Sequence, residues 1–275
     1  MGNPYNDLIS FKRMVKPQIK NWRSVILMRL GLISNLTMQM RDGNEYKISY
    51  TEGQIRFDKY TFVVDNKRQY GNTLHLILEN LVTEQYKMMP VKGKVVVDIG
   101  AGVADTAIYF AGNGAKRVYA YEPYPYTFGL ASKNVSTNKL GGRIKLINEA
   151  VSDKKGTITL ARAPESYAYP DLKASTSGKA IKITTLNDIV KALRIKDGAL
   201  KIDIEGYERQ VILGADKTAL RCFSHIIAEY NHGHSKISKK LLSAGFEVKI
   251  YPSNDIYFEK MPEAERDGLL YAKRR

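Results

Sequence analysis

The run VVVDIGAG, Val95 to Gly102, constrains this chain more than any other stretch. Three β-branched residues lead to a carboxylate, and glycines then open a tight turn before the helix-like ADTAIYFAGNG. A buried parallel strand of an open α/β sheet delivers its C-terminal end to a ligand in this way. Asp98, Gly100, Ala101 and Gly102 are therefore expected to face a cofactor.

The loop also discriminates between cofactors. A dinucleotide fingerprint, G-x-G-x-x-G/A, needs a third small residue so that a pyrophosphate can rest on the helix N-terminus, but Asp105 stands at that place here. A carboxylate there suits the helix dipole and repels a diphosphate. A cationic, phosphate-free cofactor tolerates both Asp98 and Asp105, and S-adenosylmethionine, with its sulfonium and ammonium groups, meets that description. The next strand, RVYAYEP, ends on Glu122, 20 residues after Gly102. At that spacing an acidic side chain accepts hydrogen bonds from both ribose hydroxyls of an adenosine.

With 275 residues the chain has room for one large α/β domain and an N-terminal extension. The boundary falls at Met89-Pro90-Val91-Lys92-Gly93, dividing 1–90 from 91–275. Residues 1 to about 40 read as helix. A hairpin then begins at Arg41-Asp42-Gly43-Asn44, followed by the alternating strands YKISY and IRFDKYTFVV, and helix pattern returns in TLHLILENLV. This section carries no recognisable chemistry; it suits a cap over a catalytic core or a homodimer surface, with His75 in a structural role. Beyond the boundary, strands and helices alternate, as in a parallel sheet with helices on both faces. A polar insertion interrupts them, with a hairpin-like GTITLAR and the tract APESYAYPDLKASTSGK, which reads as a mobile loop over a substrate. FEVKIYP and GLLYAKR end the chain as an antiparallel pair closing the sheet edge.

Composition excludes some classes of function. One cysteine, Cys222, leaves no intramolecular disulfide and fits a reducing cytoplasm. No apolar run reaches the roughly 18 residues of a membrane span. The nearest approach, SVILMRLGLIS, is interrupted by Arg29 and lacks a signal-peptide cleavage site. The formal charge of +15 is spread in pairs such as Lys12-Arg13 and Lys239-Lys240, which favours a solvated basic surface over an anionic substrate or partner such as nucleic acid.

The ordered segments DIGAG, YEPYPYTFGLASKNVSTN, INEAVSDKKGTITL, TTLNDIV, KIDIEGYE and IIAEYNH resemble the FkbM-type S-adenosylmethionine-dependent methyltransferases over most of Val91 to Arg275. The hallmark is LKIDIEGYE, Leu200 to Glu208. The resemblance implies a class I, Rossmann-like methyltransferase fold: a seven-stranded, mostly parallel sheet with one reversed strand and helices on both faces. It also implies that Asp98, Gly100 and Gly102 form the methionine-side loop. Glu122, followed by Pro123, is then the ribose acid, and Glu149, Ala150 and Val151 lie beside the adenine. Two departures occur in the loop: Gly102 stands for the family's usual Asn, and Ala104 for its Gly.

Methyl transfer from a sulfonium is an in-line displacement, so the protein positions donor and acceptor and removes the acceptor's proton. We expect Asp203 beside the methyl group, Glu205 shaping the turn or the substrate side, and His232 as base with His234 in reserve. Asp203, Glu205 and Glu229 offer a weaker alternative as ligands of a divalent metal. The expected acceptor is a hydroxyl of a small molecule or glycan, with S-adenosylhomocysteine as the second product. An RNA or tRNA methyltransferase and a non-catalytic cofactor- or glycan-binding protein are the alternatives. The N/D-P-P-Y/F segment of amino-methylating enzymes is missing.

Overall fold

The structure is a computed structural model describing residues 11–12, 14–65, 67–160, 178–204, 206–252, 262 and 267–275. Two compact units emerge: Met1–Gln85 with Lys133–Lys139, and Tyr86–Ser132 with Leu140–Arg275.

In the first unit the expectation of helix up to about residue 40 is corrected. Residues 11–12 and 14–15 are helical, a turn follows, helix α1 covers Trp22–Arg29, and strand β1 already occupies Asn35–Gln39. Gly31 stops the helix: at φ 74° it lets its own N–H donate to Met28 O and that of Leu32 to Leu27 O. These are the paired bonds of a Schellman ending, which a side chain at that φ would strain. An antiparallel sheet β1-β2-β3-β4 follows, with β2 Glu45–Thr51, β3 Gln54–Phe57 and β4 Tyr60–Val63. IRFDKYTFVV is thus a hairpin rather than one strand. Asp58, at φ 48°, turns the chain so that Phe57 faces Tyr60, a conformation Asp tolerates better than most residues. Met38, Ile55 and Phe62 are buried within this unit. Helix α2, Lys67–Ile77, runs into a π-helical turn, Leu78–Val82. His75 packs edge-on to Phe11, with ring centroids 5.5 Å apart.

The second unit alternates as expected: β5 Val95–Ile99, α3 Asp105–Gly112, β6 Arg117–Tyr121, α4 Pro125–Thr137 and β7 Ile144–Ile147. Then come β8 Ala150–Ser152, β9 Gly156–Leu160, β10 Lys179–Thr185, α5 Leu186–Leu193, β11 Gly198–Ile202, α6 Glu208–Gly214 and α7 Lys217–Leu220. The chain ends with β12 Phe223–Tyr230, α8 Ser235–Ser243, β13 Phe246–Pro252 and β14 Gly268–Arg274. Seven strands form one sheet in the order β13-β14-β12-β11-β5-β6-β7, with only β14 reversed. Succession runs from β5 outward through β6 and β7 on one side and from β11 through β12 on the other. The crevice at the C-terminal ends of β5 and β11 is therefore the topological switch point, where open α/β sheets bind ligands.

Of GTITLAR, Gly156–Leu160 forms the single strand β9, and Ala161 and Arg162 lie outside the described residues. β9 pairs antiparallel with β10, and β10 pairs parallel with β8, making a separate three-stranded sheet. Residues 163–177 of the loop expected over the substrate lie outside the described residues. Helix α5 starts on Thr185, whose Oγ1 accepts from Asp188 N at 3.2 Å. Val97, Ile99, Leu200, Ile202, Val211 and Ile226 belong to one buried core of this unit.

Candidate active site

Four strand ends build the site. At the end of β5 the backbone takes positive φ at Gly100, Gly102 and Ala104, of 80°, 51° and 70°. The amides of Gly100 and Ala101 both donate to Tyr121 O at 3.0 Å, fastening the loop to β6. Glycine at 100 answers a packing demand, because an added Cβ would overlap the Asp203 carbonyl oxygen and stand 2.8 Å from Ile204 Cγ2. At Gly102 an added Cβ would meet nothing closer than Asp105 Oδ1 at 3.9 Å.

Glu122 follows β6 and is 6% exposed. Its Oε2 accepts from Gly102 N at 3.0 Å and its Oε1 from Tyr124 N at 2.9 Å. Burial pushes its pKa up to about 7, against the opposing pull of those two amides and of Lys201. Each carboxylate oxygen has a second lone pair, so both remain competent acceptors. Asn148 Nδ2 donates to the carbonyls of Glu122 and Pro123 at 2.9 Å and pins this turn. Glu149 pairs with Lys182 at 2.9 Å, while Ala150 and Val151 are buried on β8.

Asp98 lies beneath the loop at 0% exposure, accepting from Thr106 Oγ1 at 2.7 Å. Its register partner on β11 is Lys201, 1% exposed, with Nζ 3.3 Å from Asp98 Oδ1 and 3.5 Å from Asp203 Oδ2. Lys201 Nζ also donates to Gly100 O at 2.7 Å. Burial alone would lower the Lys201 pKa, but the carboxylates of Asp98, Asp203 and Asp105 outweigh it and hold the value above the ordinary lysine range. The sequence reading gave this lysine no role. Its signal was a charge inside the strand GALKI, every residue of which is buried.

Asp203 sits just past β11, its amide donating to Ile99 O at 3.1 Å and its Oδ2 accepting from Tyr86 Oη at 3.1 Å. Since Ile202 faces Ala228 across β11 and β12, Asp203 and Glu229 occupy the next positions at the same edge. Burial would raise the Asp203 pKa; Lys201, then Glu229 and Tyr86, outweigh it and hold the carboxyl below its ordinary range. Tyr86, 1% exposed, is a second residue that sequence reasoning missed, because 117 positions separate it from its partner.

Glu205 lies outside the described residues. Glu208, 1% exposed, accepts from Ile204 N at 2.7 Å and from Gly206 N at 3.0 Å, shaping the turn that carries Asp203 toward α6. Glu208→Ala is expected to cost about 2–3 kcal/mol through the loss of these charge-assisted bonds, read as a lowered urea midpoint. His232 is exposed and its ring approaches the same turn, 3.8 Å from where a Gly206 Cβ would stand. His234 Nδ1 bonds Ser238 Oγ at 3.2 Å, and its ring packs edge-on to Tyr230. Among the described residues no group of three or more His, Cys, Asp or Glu side chains is placed to hold a metal ion.

The strand order, the single reversed strand and the glycine loop at the switch point define a class I, Rossmann-like methyltransferase fold. Residues 98–253, more than half of the sequence, match the methyltransferase FkbM domain, and the chain belongs to that family. It is 28% identical to the hexuronic acid methyltransferase AglP of Haloferax volcanii over 152 residues, covering 54% of this chain and 61% of that protein. It is also 34% identical over 90 residues to the ribosomal protein L11 methyltransferase of Carboxydothermus hydrogenoformans, covering 33% of this chain and 29% of the relative. The chain thus spans less than two thirds of the length of these curated relatives. Among solved structures, TrmK of M. capricolum in complex with S-adenosylhomocysteine is 16% identical, with a TM-score of 0.43, over 71% of this chain and 68% of that one.

Proposed function

We propose that this methyltransferase uses S-adenosylmethionine and methylates a hydroxyl group of a small molecule or glycan in the cytoplasm. The observation that carries the reading is Glu122: an almost fully buried acid at the end of β6, held by the amide of the glycine loop it faces. A carboxylate so placed suits a ribose diol, and the part-exposed carboxylate of Asp203 suits a cationic ligand without phosphates. The loop Gly100–Gly102 would hold the methionine portion, Glu122 the ribose, and Glu149–Val151 the adenine. Bound there, the cofactor supplies an electrophilic methyl group. Asp203 remains ionised at neutral pH and orients the acceptor hydroxyl, and the exposed imidazole of His232 takes its proton. The hexuronic acid substrate in the name of AglP supports a glycan-type acceptor, and the single cysteine supports a reducing compartment.

Calorimetric titration with S-adenosylhomocysteine tests the cofactor assignment. Only ionised Glu122 accepts from both ribose hydroxyls, so affinity is present above its pKa of about 7 and lost as the pH falls through it. The dissociation constant at pH 6 is expected to be about tenfold weaker than at pH 8, one pH unit below the pKa leaving about a tenth of the carboxyl ionised. Glu122→Gln should bind weakly with a flat profile. A flat profile in the unaltered protein would remove the ribose role, and no binding at any pH would remove the cofactor. In an acceptor screen over uronic acids, other sugars, phenols and RNA, turnover confined to RNA would overturn the glycan or small-molecule reading.

A further inference from the structure

The apolar run SVILMRLGLIS, which the methyl-transfer chemistry does not use, leads to a separate surface. Of the six large apolar side chains exposed among the described residues, three lie within it: Leu27 at 41%, Leu30 at 54% and Leu32 at 68%. Val25 and Met28 fill the opposite, buried face of α1. Arg23, Leu27 and Leu30 stand at i, i+4 and i+7 and so share one stripe of the helix, with Leu32 just past its glycine ending. Between Asp7 and Asp42 the chain has seven basic residues and no acidic one. Lys12, Lys16, Lys20, Arg23 and Arg41 are exposed, whereas Arg29 turns inward to Gly71 O and the Phe11 ring.

We propose that this stripe docks on an anionic lipid surface, the leucines entering the headgroup and acyl boundary and the basic side chains meeting the lipid phosphates. Exposed leucines on a segment that carries basic residues and no acidic one suit an anionic lipid surface, where apolar contact and charge attraction add. A purely electrostatic nucleic-acid contact gives no reason for three solvent-facing leucines. The proposal is independent of the methyl-transfer reading.

The chain contains a single tryptophan, Trp22 at the start of α1, flanked by the Lys12 ammonium 5.4 Å and the Arg23 guanidinium 5.2 Å from its ring. Its fluorescence therefore reports on this helix alone. Full-length protein titrated with phosphatidylcholine:phosphatidylglycerol (3:1) vesicles is expected to show a blue shift and co-sedimentation at least tenfold stronger than with phosphatidylcholine alone, weakening in high salt. Leu27→Ser/Leu30→Ser/Leu32→Ser should abolish the blue shift. Lys16→Glu/Lys20→Glu/Arg23→Glu should abolish co-sedimentation, both variants keeping the parental melting temperature. Vesicle binding that survives the leucine changes, with equal retention on RNA, would reassign the surface to a polyanion and overturn the proposal. So would a dimer that the leucine changes convert to monomer, or no binding to either vesicle.

Discussion

Gly100→Ala is expected to lose at least about 3 kcal/mol of stability and all measurable S-adenosylhomocysteine binding. Two penalties coincide at this position. A residue with a Cβ at φ 80° is in the left-handed region, which costs of order 1–3 kcal/mol. The Cβ would also lie against the Asp203 carbonyl, with its carbon at 2.9 Å, in backbone that cannot rotate away as a side chain can. Relief requires β5 and β11 to part at the crevice that would hold the cofactor. Gly102→Ala serves as the control, since it meets the φ penalty but has space around the added methyl. Thermal unfolding in denaturant and calorimetric titration of the two variants distinguish them; equal losses would show that the approach to Asp203 is unimportant.

The second large effect is expected at Lys201. Lys201→Met preserves much of the volume but strands Asp98, a carboxylate with no solvent contact, and loosens Asp203 and the Gly100 carbonyl. Removing one member of a buried ion pair costs about 3–5 kcal/mol. In a domain of this size that corresponds to a melting temperature lower by roughly 10 °C. The Lys201 pKa is raised in the folded protein, so its contribution is complete below the unfolded value of about 10.4 and is lost only as the pH rises through the folded value. The deficit of Lys201→Met should therefore be constant between pH 6 and pH 9. Adding Asp98→Asn to Lys201→Met should recover part of the loss, because the stranded charge is removed. A double-mutant cycle without coupling would overturn the account of the pair.

Much of this protein was legible locally. The glycine loop after VVVDI, the acid ending RVYAYEP and the alternation of strand and helix patterns depend on neighbours a few residues apart, and they placed the crevice and its loop. Gly31 is an instructive failure: its signal was local and visible, yet the apolar run on either side suggested one long helix. The split of IRFDKYTFVV at Asp58-Lys59 was missed for a similar reason, because period-two alternation continues through so short a turn.

Residue types and their order along the chain were sufficient to determine a doubly wound sheet, the glycine loop at its switch point and the family to which the chain belongs. Tertiary structure alone decided which charges meet. The pairing of β9 with β10, the register that sets Lys201 against Asp98, and the reach of Tyr86 to Asp203 all join residues distant in sequence. Such contacts are selected by the burial of whole faces and by the requirement that a buried charge find a partner. No local propensity encodes either condition, so Lys201 could be read as part of a motif before its place between two carboxylates was known.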